Sequence, residues 1–193
     1  MTQSILRIDA SARAEDSVSR SLTDSIVARF GSATVITRDL SEGIPHLSET
    51  WVGATFTPPE NRTAQQVEAL SFSDELVAEV QAADIIVIGS AIYNFSLPSS
   101  LKAWIDQISR VGVTFKYGEN GPEGLLKDKR VIVALASGGT AIGSDYDHFT
   151  PYLKFVLGFL GITDVQFVGA TELAQNADAS IAAAKTEIGK LAA

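Results

Sequence analysis

The chain has 193 residues, of which 46% are hydrophobic, and its 23 acidic and 15 basic side chains give a formal net charge of −8. This length predicts one domain spanning residues 1–193, and the acidic charge argues against nucleic acid as a partner, because phosphates need a positive surface. The absence of cysteine excludes disulfides, zinc–thiolate centres, iron–sulfur clusters and thiol catalysis. Any redox chemistry would therefore need a cofactor.

The N-terminal sequence MTQSILRIDASAR is too short and too interrupted by charge to be a signal peptide. No apolar run approaches the roughly 20 residues that a membrane-spanning helix needs. We therefore expect a cytoplasmic protein that has no membrane partner.

Apolar runs typical of strands alternate along the chain with amphipathic patterns typical of helices. Strands are predicted at residues 4–9, 33–40, 84–90, 129–137 and 164–173. Helices are predicted after each strand, at residues 19–31, 63–83, 99–110, 150–162 and 178–193. Ser71 and Ser73 are expected to interrupt the second helix, and Ser99 or Ser100 is expected to cap the third. Pro151 suits the first turn of the fourth helix.

The order of these elements predicts a layered α/β fold. The third strand is apolar without alternation, which is typical of a strand covered on both faces in a parallel sheet. Five strands joined by right-handed helical crossovers give a three-layer α/β/α sandwich with a five-stranded parallel sheet. Residues 41–62 and 111–126 are rich in turn formers and are predicted to be irregular excursions.

Ligands in such folds bind outside the carboxyl ends of the strands, and the loop after the first strand is unusually rich in hydroxyl groups. Ser11, Ser17 and Ser19 precede a helix N-terminus, where free N–H groups and the helix dipole attract anions. Arg13 and Arg20 can add positive charge. Neither G-x-G-x-x-G nor G-x-x-x-x-G-K-[ST] occurs here, so a phosphate held by hydroxyls points to FMN in a flavodoxin-like fold. An ordinary serine-rich helix cap remains the alternative.

Two further loops at the same edge have the chemistry that a flat ligand requires. The loop after the third strand carries Ile92, Tyr93, Asn94 and Phe95, which offer aromatic and aliphatic surface, backbone amides and a carboxamide. The loop after the fourth strand begins with glycines that would let backbone amides approach a planar ring. Taken together, the three loops predict a flavin site, although each aromatic residue alone could be a core residue.

Several segments closely resemble the FMN-dependent NADH azoreductases, which are also described as NADH:quinone oxidoreductases. The matching segments are IYNF, SLKAWID, GVTFKYGENGPEGLLKDKRVIV, ASGG and LGFLGITDV, and the resemblance runs from residue 5 to about residue 169. We expect no structural requirement for GENGPEGL, so its match is a specific family marker.

The resemblance implies a flavodoxin-like homodimer with one FMN per subunit at the dimer interface. It also implies a ping-pong reaction, in which NADH or NADPH delivers a hydride to flavin N5 and a quinone or azo compound then takes the electrons. No catalytic side chain and no metal are implied. The implied phosphate contacts are Ser11, Ser17, Val18 and Ser19. The implied ring contacts are Ile92, Tyr93, Asn94, Phe95, Ala136, Ser137, Gly138 and Gly139.

The chain departs from the family pattern at three of these positions. Members of the family often have Met in place of Ile92, Ser in place of Ala136, and a larger or charged residue in place of Ser137. No main-chain contact is lost, so FMN binding is expected to survive. No side chain is an obvious general acid, so protons are expected to come from solvent, and His148 is the alternative donor.

Flat substrates require flat apolar walls, and the aromatic residues outside regular elements are the candidates. The predicted substrate pocket consists of Tyr117, Phe159, Phe115, Trp51 and Phe56, with Tyr117 ranked first because it lies in the family-specific segment. The helix at 150–162 is apolar around more of its circumference than one sheet face needs. The excess suggests a contact with a second subunit or with the excursions.

Two other functions compete with that of a flavoenzyme. A flavodoxin-type electron carrier would pass single electrons between proteins, and the acidic charge fits this function. The aromatic-bearing excursions favour the enzyme, since they would roof the flavin and shape a substrate pocket. A flavin-free interaction domain on the same fold is the remaining alternative.

Overall fold

The computed structural model of the chain describes residues 2–192. The strands are β1 (Ser4–Asp9), β2 (Thr34–Asp39), β3 (Ile85–Ala91), β4 (Phe115–Gly118), β5 (Gly121–Gly124), β6 (Arg130–Ala136) and β7 (Asp164–Ala170). The helices are α1 (Val18–Ala28), α2 (Glu49–Phe56), α3 (Ala64–Ala82), α4 (Ser99–Ile108), α5 (Thr150–Phe159) and α6 (Leu173–Lys190). No helix within this described part combines the length and apolar character needed to cross a membrane.

The five predicted strands form one parallel sheet in the order β2-β1-β3-β6-β7. Alternate residues of its strands pack on opposite faces, as the two-residue period of a strand requires. Ile86 and Ile88 of β3 pack with α3, α4 and α5, whereas Ile85 and Val87 pack with α1 and α6. The predicted three-layer α/β/α sandwich is confirmed.

The structure differs from the predicted elements at several helix boundaries. Helix α3 continues through Ser71 and Ser73, so the expected interruption is wrong; the buried Ser73 hydroxyl donates to the Gln107 carbonyl at 2.6 Å and ties α3 to α4. Pro98, rather than a serine, occupies the N-cap position of α4. Helix α6 starts at residue 173 and bends at Asn176. It ends at Lys190, before the predicted end at residue 193, which itself lies outside the described residues.

Both excursions contain regular structure that the sequence pattern did not predict. Helix α2 forms within residues 41–62, where Ser48 caps it by accepting from the Trp51 N–H at 3.1 Å. Strands β4 and β5 form an antiparallel hairpin within residues 111–126. Gly124 of this hairpin lies directly on the backbone of Gly161, at the end of α5. The expectation that GENGPEGL has no structural requirement is therefore wrong for this glycine.

Helix α5 buries most of its apolar residues in the core of its own chain. Leu153, Leu157 and Leu160 are buried, and Tyr152, Val156 and Phe159 pack partly against them. Phe155 differs, because 73% of it is exposed. The excess apolar surface expected for this helix is thus concentrated at one phenylalanine.

Candidate functional site

The carboxyl ends of β1, β3 and β6 lie side by side and bring the three predicted loops together. We call these the serine loop (residues 10–17), the aromatic loop (residues 92–98) and the glycine loop (residues 137–149). A cleft of about 450 Å³ lies between them. Of the predicted cofactor residues, the cleft is lined by Ser11, Ser17, Val18, Ser19, Ile92, Tyr93, Ala136, Ser137 and Gly138.

The serine loop and the start of α1 form the polar end of the cleft. Ser17 is the N-cap of α1, and its hydroxyl accepts from the Arg20 N–H at 3.4 Å. The Ser17 and Ser19 hydroxyl oxygens are 3.3 Å apart, and Ser11 and Ser19 are buried. Hydroxyl donors at a helix N-terminus are the chemistry that binds a phosphate, so these residues fit the phosphate end of FMN.

Arg20 does not face the cleft as the sequence suggested. Its guanidinium forms two hydrogen bonds with Asp39, at 2.7 and 2.9 Å. These bonds lower the pKa of the Asp39 carboxyl to about 2. The same guanidinium donates to the carbonyls of Ser11 at 3.3 Å and Arg13 at 3.0 Å. Arg20 therefore holds the serine loop in place from behind.

The aromatic loop contains a tight turn with a strained backbone. Tyr93 and Ser96 form two hydrogen bonds across the turn, and both central residues have positive φ, 47° at Asn94 and 72° at Phe95. Such a turn normally has glycine at its second central position, because a Cβ there is sterically disfavoured. Strain of this kind is concentrated at functional sites in proteins.

This turn is fixed by contacts with both neighbouring loops. The Ala12 N–H of the serine loop donates to the Tyr93 hydroxyl at 3.2 Å. The His148 N–H of the glycine loop donates to the Phe95 carbonyl at 3.1 Å. The Phe95 ring also packs at a tilt against Tyr146, with ring centroids 6.0 Å apart. Asn94 and Phe95 thus belong to the rim of the site, although they do not line the cleft itself.

Side-chain hydrogen bonds, rather than glycine conformations, organise the glycine loop. The Ser137 hydroxyl accepts from the Gly139 N–H at 3.3 Å and the Thr140 N–H at 2.8 Å. A Cβ on Gly138 or Gly139 would meet no other atom within 4 Å, and neither residue has a left-handed φ. Internal packing therefore gives no reason for either glycine. Gly138 lines the cleft, whereas Gly139 does not.

Asp147 is the second organising residue of the glycine loop. Burial acts to raise the pKa of its carboxyl, but hydrogen bonds from Gly143, Thr150 and Phe149 outweigh burial and hold the pKa below its usual range. The N–H groups of Phe149 and Thr150 donate to it at 3.0 and 2.9 Å. The loop is therefore joined firmly to the start of α5.

The structure brings three of the five predicted substrate-pocket aromatics together. Phe115 lies 4.6 Å from Phe159 and 5.7 Å from Tyr117 between ring centroids, and 72% of Tyr117 is exposed. Phe56, at the end of α2, is 77% exposed and forms no aromatic pair with the described rings of this aromatic cluster.

None of the five predicted aromatics lines the cleft itself. Trp51 is also buried and cannot form a wall for a substrate, contrary to the prediction. It is buried with Ala54 and Leu70 between α2 and α3. The Arg110 guanidinium lies over its indole, 5.9 Å from the ring centroid. The sequence pattern missed helix α2, so it could not assign this tryptophan to a helix face that packs inward.

Leu173 and Ala174 also line the cleft, although the sequence pattern did not predict them there. Both follow β7, and their N–H groups donate to the carbonyls of Ser137 and Gly138, each at 3.0 Å. The fifth strand was predicted to continue to residue 173, whereas it ends at Ala170. A correct strand end would have identified a fourth loop at the same edge of the sheet.

The fold and the cleft define a flavodoxin-like protein with a ligand site at the carboxyl edge of its sheet. Residues 3–192 match a protein family described as having a flavodoxin-like fold. The chain is 61% identical over 189 residues to the FMN-dependent NADH:quinone oxidoreductase 1 of Jannaschia sp. strain CCS1, with 98% of each chain covered. It is 48% identical over 193 residues to the FMN-dependent NADH:quinone oxidoreductase of Cereibacter sphaeroides strain KD131, again with 98% of each covered.

Solved structures agree with these relatives. An FMN-dependent NADH-azoreductase from Bacillus anthracis str. Ames Ancestor, solved in complex with FMN, has a TM-score of 0.86 at 28% identity, covering 97% of this chain and 96% of that one. An azoreductase from Bacillus anthracis str. Sterne has a TM-score of 0.88 at 27% identity, with 98% of each chain covered. The chain therefore belongs to the flavodoxin-like family that contains the FMN-dependent NADH:quinone oxidoreductases.

Proposed function

We propose that this protein is an FMN-dependent NADH:quinone oxidoreductase that also reduces azo compounds. The observation that carries the proposal is a single cleft with serine hydroxyls and a helix N-terminus at one end and Ile92, Tyr93 and Gly138 along its wall. The strained turn at Asn94 and Phe95 lies at its rim. The relatives and neighbours named above support the enzyme over an electron carrier or a flavin-free domain.

Each loop has a separate task in this proposal. Ser11, Ser17 and Ser19 donate hydroxyl hydrogen bonds to the phosphate, and the main chain at Val18 adds a helix N-terminal amide. The aromatic and glycine loops hold the ring through Ile92, Tyr93, Asn94, Phe95, Ala136, Ser137, Gly138 and Gly139. When bound, FMN supplies the two-electron redox chemistry that no side chain of this cysteine-free chain can supply.

The substrate-facing wall is assigned to the aromatic cluster of Phe115, Tyr117 and Phe159. A nicotinamide and a quinone are both flat, and both must stack close to the same ring for electron transfer. Aromatic surface orients such substrates with little loss of side-chain entropy. Phe56 can contribute to this wall only if a second subunit brings it near. Trp51 is not part of the proposed wall, because it is buried between α2 and α3.

The protein is proposed to act as a cytoplasmic homodimer. Phe95, Tyr117, Tyr146 and Phe155 are exposed aromatics of the described chain, and such surface is a common basis for subunit contact. Sedimentation should give about twice the 20.5 kDa chain mass, and Phe155→Glu should shift it towards the monomer. A parent chain that is monomeric at micromolar concentration and still oxidises NADH would refute the dimer.

The visible spectrum of the purified protein tests the proposed function directly. We expect bound flavin that acid releases as FMN, bleaching on addition of NADH without oxygen, and return of colour when a quinone is added. NADPH, tested in parallel, determines the preferred donor. A colourless protein that binds no FMN, or one that NADH and NADPH both fail to reduce, would contradict the proposal.

A further inference from the structure

The serine loop contains one arginine whose charge is not neutralised by a neighbouring carboxylate. Arg7 is paired with Asp9 and Asp24, and Arg20 is paired with Asp39. Arg13 forms no ion pair with any carboxylate of residues 2–192. Its side chain is exposed and lines the cleft beside the serine hydroxyls.

The remaining groups at the polar end of the cleft are neutral. Ser11, Ser17 and Ser19 supply hydroxyl groups, and the start of α1 supplies backbone amides and a partial positive charge. A terminal phosphate carries nearly two negative charges, and hydrogen bonds between ionised partners are about twice as strong as neutral ones. Arg13 is the one cation among the residues described as lining this cleft.

Arg20 contributes to the same loop in a different way. It donates to the carbonyls of Ser11 and Arg13 while it is held by Asp39. In a trans peptide the N–H points opposite to the preceding C=O. Arg20 therefore directs the N–H of Ala12 away from itself, towards Tyr93, and fixes the backbone on both sides of Arg13.

We propose that Arg13 binds a phosphate group with its guanidinium, and that the Arg20–Asp39 pair positions the loop that carries it. The proposal rests on the proposed function, and it assigns the phosphate to FMN. The phosphate of a nicotinamide dinucleotide has the same chemistry and is the other possible source. Arg13 is thus a binding residue, whereas Arg20 is a positioning residue that acts through backbone carbonyls.

Riboflavin, which is FMN without its phosphate, separates this role from a general effect on the fold. The flavin-free full-length chain is titrated with FMN and with riboflavin, and flavin fluorescence is followed. Arg13→Gln should weaken FMN binding about tenfold or more and leave riboflavin binding unchanged. Arg13→Lys should recover part of the FMN affinity, because a lysine still supplies the charge. Added salt should weaken FMN binding to the parent more than to Arg13→Gln.

The two arginines should differ in their response to lysine. Arg20→Lys should lower FMN affinity about as much as Arg20→Gln, because an ammonium cannot keep the two-pronged contact with Asp39 together with both carbonyl contacts. Arg29→Gln is the matched control: it removes the same charge from the far end of α1, where Arg29 donates to the Leu191 carbonyl. It should leave both flavin affinities at the parent values.

The outcomes distinguish this inference from the proposed function. Equal FMN affinity in the parent and Arg13→Gln would overturn the role of Arg13 while leaving the enzyme proposal intact. If Arg13→Gln raised the KM for NADH or NADPH and left FMN affinity unchanged, Arg13 would bind the phosphate of the dinucleotide. Its assignment to FMN would then be overturned. Failure of the parent to bind FMN would overturn both.

Discussion

A Cβ atom added to Gly124 would lie 2.1 Å from the amide nitrogen of Gly161. The hairpin of β4 and β5 therefore packs backbone against backbone on the end of α5. The Leu126 N–H, just after the hairpin, donates to the Leu160 carbonyl at 2.9 Å. This contact places Phe115 beside Phe159, and Tyr117 packs against the Phe115 ring to complete the aromatic cluster.

Gly124→Ala should separate the hairpin from α5, because the contacting atoms are backbone and cannot move aside cheaply. We expect a loss of about 1–3 kcal/mol in the free energy of unfolding, measured by urea denaturation. Quinone turnover should fall more than FMN affinity, since the hairpin carries part of the proposed substrate wall but none of the residues that line the cleft. Gly118→Ala is the control, because its Cβ would meet only Gly121 at an ordinary 3.6 Å. Equal behaviour of the two variants would contradict the proposed packing role.

The double variant Ser17→Ala/Ser19→Ala should weaken FMN binding. Each lost hydrogen bond to a charged phosphate is worth about 1.5–3 kcal/mol, so a decrease of tenfold or more per residue is expected. Ser17 also caps α1, and removing the cap should cost about 1 kcal/mol of stability, which unfolding experiments measure separately. Ser25→Ala, further along α1, should change neither quantity greatly. If the double variant bound FMN as tightly as the parent, the two serines would serve only the N-terminus of α1 and would not bind the phosphate.

Asp39 should give a pH-dependent contribution to stability. Its pKa is lowered to about 2 by the hydrogen bonds from Arg20. Because the folded-state value lies below the unfolded value of about 3.9, the stabilisation is complete above about pH 5 and is lost as the pH falls towards 2. Asp39→Asn should therefore cost about 1 kcal/mol at about pH 6 and roughly half of that at about pH 3, allowing for partial exposure.

Urea unfolding at the two pH values measures this difference. Asp106→Asn serves as the control, because it breaks an exposed i,i+4 pair with Lys102 and should cost at most about 0.5 kcal/mol at either pH. A cost of Asp39→Asn that is the same at both pH values would show that the ion pair does not lower the pKa of this carboxyl.

Tyr117→Ala should alter substrate preference without altering the bound flavin. The ring is exposed and packs edge-on against Phe115 at the outer side of the aromatic cluster. A bulky azo dye uses more of this wall than a small benzoquinone, so its kcat/KM should fall further. Tyr117→Phe keeps the ring and should resemble the parent. The same change for both substrates, or no change, would place Tyr117 outside the pocket.

Much of the site could be predicted because its signals are local in the sequence. The apolar run of β3 and the residues that directly follow β1, β3 and β6 identify three loops at one sheet edge. Helix α2 and the β4–β5 hairpin could not be predicted in the same way, since they are short and rich in turn formers. Their stability comes from contacts with α3 and α5, not from an amphipathic pattern of their own.

The layered α/β architecture and the chemistry of each loop could be predicted from the residues alone, because hydrophobic period and residue type are properties of neighbouring residues. The sequence alone could not distinguish Arg13 from Arg20, since both lie in one serine-rich segment. The fold distinguishes them because it brings Asp39, from the end of another strand, against Arg20. Likewise, only folding placed Gly124 on Gly161 and Ala12 on Tyr93, because contacts between distant residues depend on how whole elements pack.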